Sequence, residues 1–185
     1  MSNSSAKVTL VDLPNLTVVG LGADFVSVLA PHPTASVVIP KLWGQLSEVI
    51  AAANKAMPEA NFFSQWMIGA MGEPERPAYD STESAEDEGL MHYFAGLRVN
   101  NLDAVAIEPL VAAGLQARSF VGGKYAVCEH RGLLDSLPDT TAWFYKTWLP
   151  GEGPSQRYGH HFEIYDERFA PGEASSVMLI CAPVQ

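Results

Sequence analysis

The chain has 185 residues, of which 48% are hydrophobic and 17% charged, and its formal net charge at pH 7 is −10. This composition is typical of a globular chain with its own core and excludes a mainly disordered one. A surface this negative repels phosphate backbones and anionic lipid, so we expect no direct nucleic-acid partner and no membrane association. The same potential attracts cationic small molecules.

The start of the chain and its cysteines predict a cytoplasmic protein. The opening "MSNSSAKVTLVDLPN" has no apolar run behind a basic head, so we expect no signal peptide. No stretch approaches the length that crosses a bilayer. Cys128 and Cys181 are far apart and show no Cys-x-x-Cys or Cys/His spacing. We therefore expect two buried free thiols in a reducing compartment, with no disulfide and no metal site.

The first half of the chain has the pattern β-α-β-β. Within the predicted helix, Pro40 suits the first turn, apolar residues recur at helical spacing, and Pro58 ends the segment. The predicted elements are a strand (16–25), a helix (39–57), a strand (61–72), an acidic surface loop (73–89) and a strand (90–99).

The same order returns in the second half. Both helices begin at a Pro that follows an aliphatic residue, and each carries a Trp about a turn later, Trp43 and Trp143. Such Trp residues usually belong to a core. Ser136 or Asp139 is a possible N-cap of the second helix, and Pro150 is expected to stop it. The elements are strand material around Gly122-Gly123 (115–132), a helix (136–150) and two strands (159–167 and 176–184).

These patterns predict an α+β fold in one domain, residues 1–185, with halves at about 14–100 and about 113–184. One helix per half covers one face of a mainly antiparallel sheet. Two such halves side by side leave a groove between them.

The strand "HFEIY" carries an acid at its centre. Because alternate side chains point to opposite faces, His161, Glu163 and Tyr165 share one face, and Phe162 and Ile164 share the other. We expect the Phe162 face to pack against a helix and the Glu163 face to look into the groove or out to solvent.

Two interpretations of Glu163 remain open. A solvated outer face explains it without any function. The alternative is a cleft in which Trp66 and Tyr93, from the matching strands of the first half, supply aromatic walls. A carboxylate there is desolvated, which is costly and raises its pKa. A flat, apolar cation relieves that cost by charge pairing and cation–π contacts.

Other chemistries find little support. The segment "VVGLGADF" offers only G-x-G, without the third glycine and the following helix of a dinucleotide site. The chain has no G-x-S-x-G element. His160 and His161 are adjacent on a strand and point opposite ways, which disfavours a metal site. We predict no cofactor and no metal.

Several segments together resemble the GyrI-like small-molecule-binding domain, which is also the effector-binding domain of AraC-type and multidrug-responsive bacterial regulators. They are "IPKLWGQL", "YFAGLRV", "GGKYAVCEHRG", a helix ending "WLP", "HFEIY" and a last strand ending "APV", and the resemblance runs from about Leu16 to Val184. It implies two β-α-β-β units related by a pseudo-twofold axis, with a ligand groove between them. Glu163 matches the acidic position that meets cationic, lipophilic ligands in the family. Some members are similar to hydrolases of strained cyclopropane rings.

The chain departs from the family pattern at two points. Leu179 and Cys181 stand where relatives commonly place an acid and an aromatic residue, which weakens a two-carboxylate hydrolytic mechanism. No helix-turn-helix segment is attached, which indicates a stand-alone form.

Three functions follow as hypotheses. The first is binding of a cationic or amphipathic aromatic molecule, as a sensor or for sequestration. The second is a hydrolase of strained or electrophilic xenobiotics, with Glu163 as the catalytic residue. The third is an acidic inhibitor of an unknown protein partner such as gyrase. The predicted ligand-binding residues are Glu163, Tyr165, His161, Trp66, Tyr93 and Trp143.

Overall fold

Eight strands form one antiparallel sheet in the computed structural model, which describes residues 6–27, 31–72 and 89–185. In chain order they are β1 (Val8–Leu13), β2 (Leu16–Val26), β3 (Met67–Gly72), β4 (Leu90–Arg98), β5 (Gln116–Phe120), β6 (Gly123–Arg131), β7 (His161–Tyr165) and β8 (Val177–Pro183). Their order across the sheet is β1-β6-β8-β7-β3-β4-β2-β5.

Helices connect these strands. The first is α1 (Ala35–Ala56), and the second, α2 (Ala104–Ala112), is capped by the Asp103 carboxylate, which accepts a hydrogen bond from the Ala106 amide. A third helical segment runs over residues 137–151 and is called here the second-half helix. It consists of α3 (Leu137–Trp143), a π-helical stretch (Phe144–Trp148) and a short final turn, α4 (Leu149–Gly151).

The order of strands shows the two β-α-β-β units. From the centre of the sheet outwards, the first unit contributes β3, β4 and β2, and the second contributes β7, β8 and β6. The units meet where β3 pairs antiparallel with β7, and Gly69 lies opposite Glu163. The predicted α+β fold, with its two β-α-β-β units and its mainly antiparallel sheet, is confirmed.

Both long helical segments pack on the same face of the sheet, called here the helix face. Leu46 of α1 lies in one buried cluster with Ala95, and Phe144 of the second-half helix lies in another with Ile180. Ala95 pairs with Gly69, Gly69 with Glu163, and Glu163 with Ile180, so Glu163 belongs to the helix face.

The expectation that Phe162 and Ile164 pack against a helix is therefore wrong, although the alternation along β7 is right. Phe162 and Ile164 pack on the helix-free face, in a buried cluster with Phe94 and Phe120. The rings of Phe120 and Phe162 are 5.7 Å apart, although β5 is four strands from β7. In a flat sheet that separation is about 19 Å. The sheet therefore curls around an aromatic core, which buries the helix-free face without any helix.

Several predicted boundaries also need correction. The helix α1 starts at Ala35, so Pro40 lies inside it, beyond the first turn. The strand expected from residue 61 begins at Met67, since two short 3₁₀ turns precede it. The second-half helix extends to Gly151, one residue past Pro150, and Ser136 at its start makes no side-chain capping bond.

Two elements were not predicted, the edge strand β1 and the helix α2. Residues 73–88 of the expected acidic loop lie outside the described residues.

The two cysteines are free and buried, as predicted. Cys128 pairs with Ile180 on the helix face, and Cys181 pairs with Val127 on the opposite face. The two thiols therefore project to different sides of the sheet.

None of the helices in the described part of the chain is long and apolar enough to cross a membrane.

The backbones of β2 and β4 approach closely at Gly20, so a substitution at this residue tests the packing of the sheet. A Cβ at this position would overlap the Ala95 carbonyl oxygen and lie 2.5 Å from the Gly96 Cα, and neither backbone atom can move aside cheaply. We expect Gly20→Ala to lower the free energy of unfolding by about 2 kcal/mol or more, measured by urea denaturation. Gly44→Ala is the control, because no atom lies within 4 Å of a Cβ there. In a helix this change is expected to stabilise by about 0.5–1 kcal/mol. Equal effects of the two substitutions would contradict the packing described.

Candidate functional site

One carboxylate oxygen on the helix face accepts hydrogen bonds from two tyrosine hydroxyl groups. The Tyr93 hydroxyl donates to Glu163 Oε2 at 2.6 Å, and the Tyr165 hydroxyl donates to the same oxygen at 3.0 Å. Tyr93 is fully buried. The pKa of Tyr93 and that of Tyr165 are raised by burial and by the neighbouring carboxylate, so both hydroxyls keep their protons and remain donors.

Gly69 makes the contact between Tyr93 and Glu163 possible. Tyr93 is on β4 and Glu163 on β7, and β3 lies between these two strands. A Cβ at Gly69 would overlap the Tyr93 hydroxyl and lie 3.1 Å from Glu163 Oε2. The missing side chain leaves the space through which Tyr93 reaches across β3.

Trp43 of α1 covers the two tyrosines. Its indole Nε1 donates to the Tyr93 hydroxyl oxygen at 3.1 Å. Its ring also meets Tyr165 edge to face, with centroids 5.2 Å apart. A chain of hydrogen bonds therefore runs from Trp43 through Tyr93 to Glu163, and it fixes the position of the α1 helix over the carboxylate.

A second polar contact lies further along β7, beside the second-half helix. The Tyr145 hydroxyl is 3.0 Å from His161 Nδ1. Burial and the nearby His160 lower the pKa of His161, which keeps its imidazole neutral at physiological pH. We call the surface of β3 and β7 between α1 and the second-half helix the central groove. Glu163 and His161 are both on its floor.

Among the described residues, Glu163 has no positive partner. In the three described segments, 6–27, 31–72 and 89–185, no ion pair involves this carboxylate. Burial raises the pKa of Glu163, and the hydrogen bonds from Tyr93 and Tyr165 offset only part of that shift. The residue is deeply placed yet partly exposed. Glu163 is therefore a carboxyl group without a counter-charge among the described residues, on a residue that keeps some exposure to solvent.

The structure brings together only some of the residues predicted for this site. Tyr93, Tyr165 and His161 lie on the helix face with Glu163. Trp66 does not, because it precedes Met67 by one residue and so points to the opposite face. Its Nε1 donates to Glu167, and the Arg98 guanidinium stacks on its ring.

Trp143 is also apart from the carboxylate. Its partly buried ring packs against the cluster around Phe144, which is the core role that a helical Trp usually has. The equivalent Trp43 is the one that reaches the tyrosines. Trp43, Tyr145 and Gly69 were not predicted, and the only signal for Trp43 was its matching position in the two helices.

The last strand also differs from its expected role. Leu179 and Cys181, which stand where relatives commonly place an acid and an aromatic residue, do not face the groove: Cys181 pairs with Phe162 and Leu179 with Ile164, both on the helix-free face. Ile180 is the residue beside Glu163. The departure from the family pattern at Leu179 and Cys181 therefore does not alter the groove floor.

No group of three or more His, Cys, Asp or Glu residues that could hold a metal ion occurs in the parts of the chain that the structure describes. The chemistry available in the groove is that of one carboxyl group, neutral hydroxyl and imidazole groups, and aromatic rings.

The sequence model of the GyrI-like small molecule binding domain matches residues 6–185, so the chain belongs to the GyrI-like family. Its fold is similar to that of SAV2435 bound to tetraphenylphosphonium, with 16% identity, a TM-score of 0.65, and coverage of 97% of this chain and 94% of that one. It is also similar to a putative bacterial transcription regulation protein from Staphylococcus aureus MU50, with 15% identity, a TM-score of 0.63, and coverage of 97% and 98%. A hydrolase from Listeria innocua has 15% identity, a TM-score of 0.52, and coverage of 97% and 92%. These likenesses show the fold.

The pKa of Glu163 predicts how stability depends on pH. Because the folded state raises this pKa above the ordinary value of 4.5, it favours the protonated carboxyl. That contribution to stability is fully present below pH 4.5 and is lost as the pH rises through the folded-state pKa. Glu163→Gln stays neutral, so we expect its melting temperature to exceed that of the wild type at pH 7.5 and to match it near pH 4.

The matched control is Glu173→Gln, which removes the same charge from an exposed residue. It should show no such dependence in thermal melts between pH 4 and pH 8. A Glu163→Gln protein that is less stable than the wild type at pH 7.5 would show that the two tyrosines hold the carboxylate in its charged form.

Proposed function

We propose that the central groove binds a small cationic or amphipathic aromatic molecule, with Glu163 as its counter-charge. The observation that supports this most directly is a deep carboxyl group that accepts two tyrosine hydroxyls and has no cation of its own among the described residues. Structural carboxylates at such depth are normally paired with a positive side chain.

The energetics favour a cationic ligand. An ionised carboxylate in a poorly solvated place is costly, and a cation removes that cost while it gains the Coulomb attraction. Aromatic faces attract cations as well, most strongly that of Trp. Trp43 and Tyr165 are partly exposed and lie beside the carboxylate, so charge pairing and aromatic contact act on the same ligand, whereas Tyr93 is fully buried.

The groove floor suits ligands of varied shape. Met67 and Met71 flank Gly69 on the helix face of β3, and both are partly buried. Methionine side chains are flexible and polarisable, so they adapt to different apolar surfaces. The family description and the tetraphenylphosphonium bound by SAV2435 agree with this ligand class. Sequestration, or sensing that is passed to another protein, is the role we propose for such binding.

Hydrolysis of an electrophilic ligand is the second candidate. It is favoured by the raised pKa of Glu163, because a general acid must carry a proton at the working pH. Hydrolysis also needs a group that activates water. Among the described residues the carboxyl group is hydrogen-bonded only by Tyr93 and Tyr165, so one of these tyrosines or the ligand itself would have to activate the water. Product analysis after incubation with an electrophile decides between binding and turnover.

Removal of the charge on Glu163 tests the proposal. We expect Glu163→Gln to weaken binding of tetraphenylphosphonium about ten- to hundredfold at pH 7.5, since one charge-assisted contact contributes about 1.5–3 kcal/mol. Binding of neutral triphenylphosphine oxide should change by less than about twofold. Isothermal titration calorimetry measures both.

Glu173→Gln is the control for net charge, and it should bind both compounds as the wild type does. Equal losses for the cation and for the neutral compound in Glu163→Gln would exclude charge pairing as the basis of recognition.

The two equivalent Trp residues give an independent test. Trp43→Phe removes an indole N–H and the best cation–π surface beside Glu163. We expect it to weaken tetraphenylphosphonium binding about three- to tenfold. Trp143→Phe should leave the affinity unchanged, because that ring packs in the core of the second half. The opposite ranking, measured by fluorescence titration, would place the ligand against the second-half helix.

A further inference from the structure

His161 is a second polar group on the floor of the central groove. It lies two residues before Glu163 on the same face of β7, which places it about 7 Å away along the strand. Met71 is its partner on β3. Like Glu163, His161 is only partly buried, so both residues are accessible from the same side of the sheet.

Tyr145 orients this imidazole. The Tyr145 hydroxyl lies 3.0 Å from His161 Nδ1, which is its only hydrogen-bond partner in the described parts of the chain. Burial raises the pKa of Tyr145, so the hydroxyl keeps its proton and is available as a hydrogen-bond donor to Nδ1. A neutral imidazole that accepts at Nδ1 carries its proton at Nε2. In this tautomer His161 presents an Nε2–H donor.

The Nε2 donor has no partner of its own in residues 6–27, 31–72 and 89–185. Among the described residues, Nε2 is not one of the unpaired polar atoms that are fully buried. It therefore keeps some exposure to solvent. Tyr145 itself belongs to the π-helical stretch Phe144–Trp148. Such insertions are frequent at functional sites, where they redirect a side chain.

We propose that His161 is a specificity-determining residue, whose Nε2–H donates to an ether, carbonyl or hydroxyl oxygen carried by the ligand about 7 Å from its cationic centre. The proposal rests on the proposed function, since it assumes a cation at Glu163. It narrows the ligand class to cations with a hydrogen-bond acceptor at a set distance. Tyr145 acts through His161 as a positioning residue.

A pair of isosteric cations tests this without any mutation. In 4-methoxybenzyltrimethylammonium an ether oxygen lies across the ring from the ammonium group, and in 4-ethylbenzyltrimethylammonium a methylene replaces that oxygen. We expect the wild type to bind the methoxy compound about three- to tenfold more tightly, as one net hydrogen bond allows, in an NMR titration at pH 7.5.

Four variants separate the contributions. His161→Phe should bind both compounds equally, at the affinity of the ethyl compound, and Tyr145→Phe should reduce the preference although it leaves the imidazole in place. Glu163→Gln should weaken both compounds by the same factor and keep their ratio. His161→Gln restores an N–H donor and should regain part of the preference, which a merely structural role of His161 does not predict.

The outcomes are distinguishable. If the wild type binds both compounds equally, or His161→Phe keeps the preference, the inference on His161 is wrong while cation binding at Glu163 stands. If neither compound nor tetraphenylphosphonium binds, the proposed function fails and the inference fails with it.

Discussion

The hydrogen bonds from Tyr93 and Tyr165 to Glu163 determine the arrangement of the centre of this protein. The bond from Tyr93 joins β4 to β7 across β3, which requires a glycine at position 69, whereas the bond from Tyr165 lies within β7. Through Tyr93 they also tie Trp43, and with it α1, to the carboxylate. A carboxyl group held so tightly without a cation costs stability, since apolar residues at the same place would avoid the desolvation. A local cost that the surrounding structure is built to maintain is typical of a functional position.

The central groove arises from the way in which the sheet buries its two faces. The helix-free face curls around Phe94, Phe120 and Phe162 and needs no helix. On the helix face, α1 covers the strands of one half and the second-half helix covers those of the other. Trp43 of α1 extends over the seam between β3 and β7 and meets Tyr165 there. The site therefore lies at the junction of two similar units, which is where a pseudo-symmetric fold leaves uncovered surface.

The sequence was sufficient to predict the two β-α-β-β units and the alternation along β7, because both depend on local periodicity. It was not sufficient to predict which face bears the helices. That depends on the contact of Phe120 with Phe162, and no pattern along the chain shows that strands so far apart in the sheet meet. Trp66 was misplaced for a simpler reason: the strand starts at Met67, and a shift of one residue reverses the face.

The choice between Trp43 and Trp143 shows a different limit. Both residues occupy the same position in their helices, and helical periodicity gives both an inward direction. The two residues differ in what they contact in the structure. Trp43 contacts Tyr93, whose ring extends over Gly69, whereas Trp143 packs against the hydrophobic cluster around Phe144. A repeated order of elements therefore predicts that a groove exists more easily than it predicts which half supplies the walls of that groove.

If the groove binds cations as proposed, Glu163 and His161 recognise different features of the ligand. Coulomb attraction to Glu163 falls slowly with distance and has little angular preference, so many cations satisfy it. A hydrogen bond from His161 requires an acceptor at a set distance and direction, so few cations satisfy it. Aromatic walls and methionines tolerate either kind of ligand. On this proposal, Tyr145 orients the His161 imidazole so that Nε2–H points to the ligand. Selectivity among cations then depends on this hydrogen bond, which does not recognise charge.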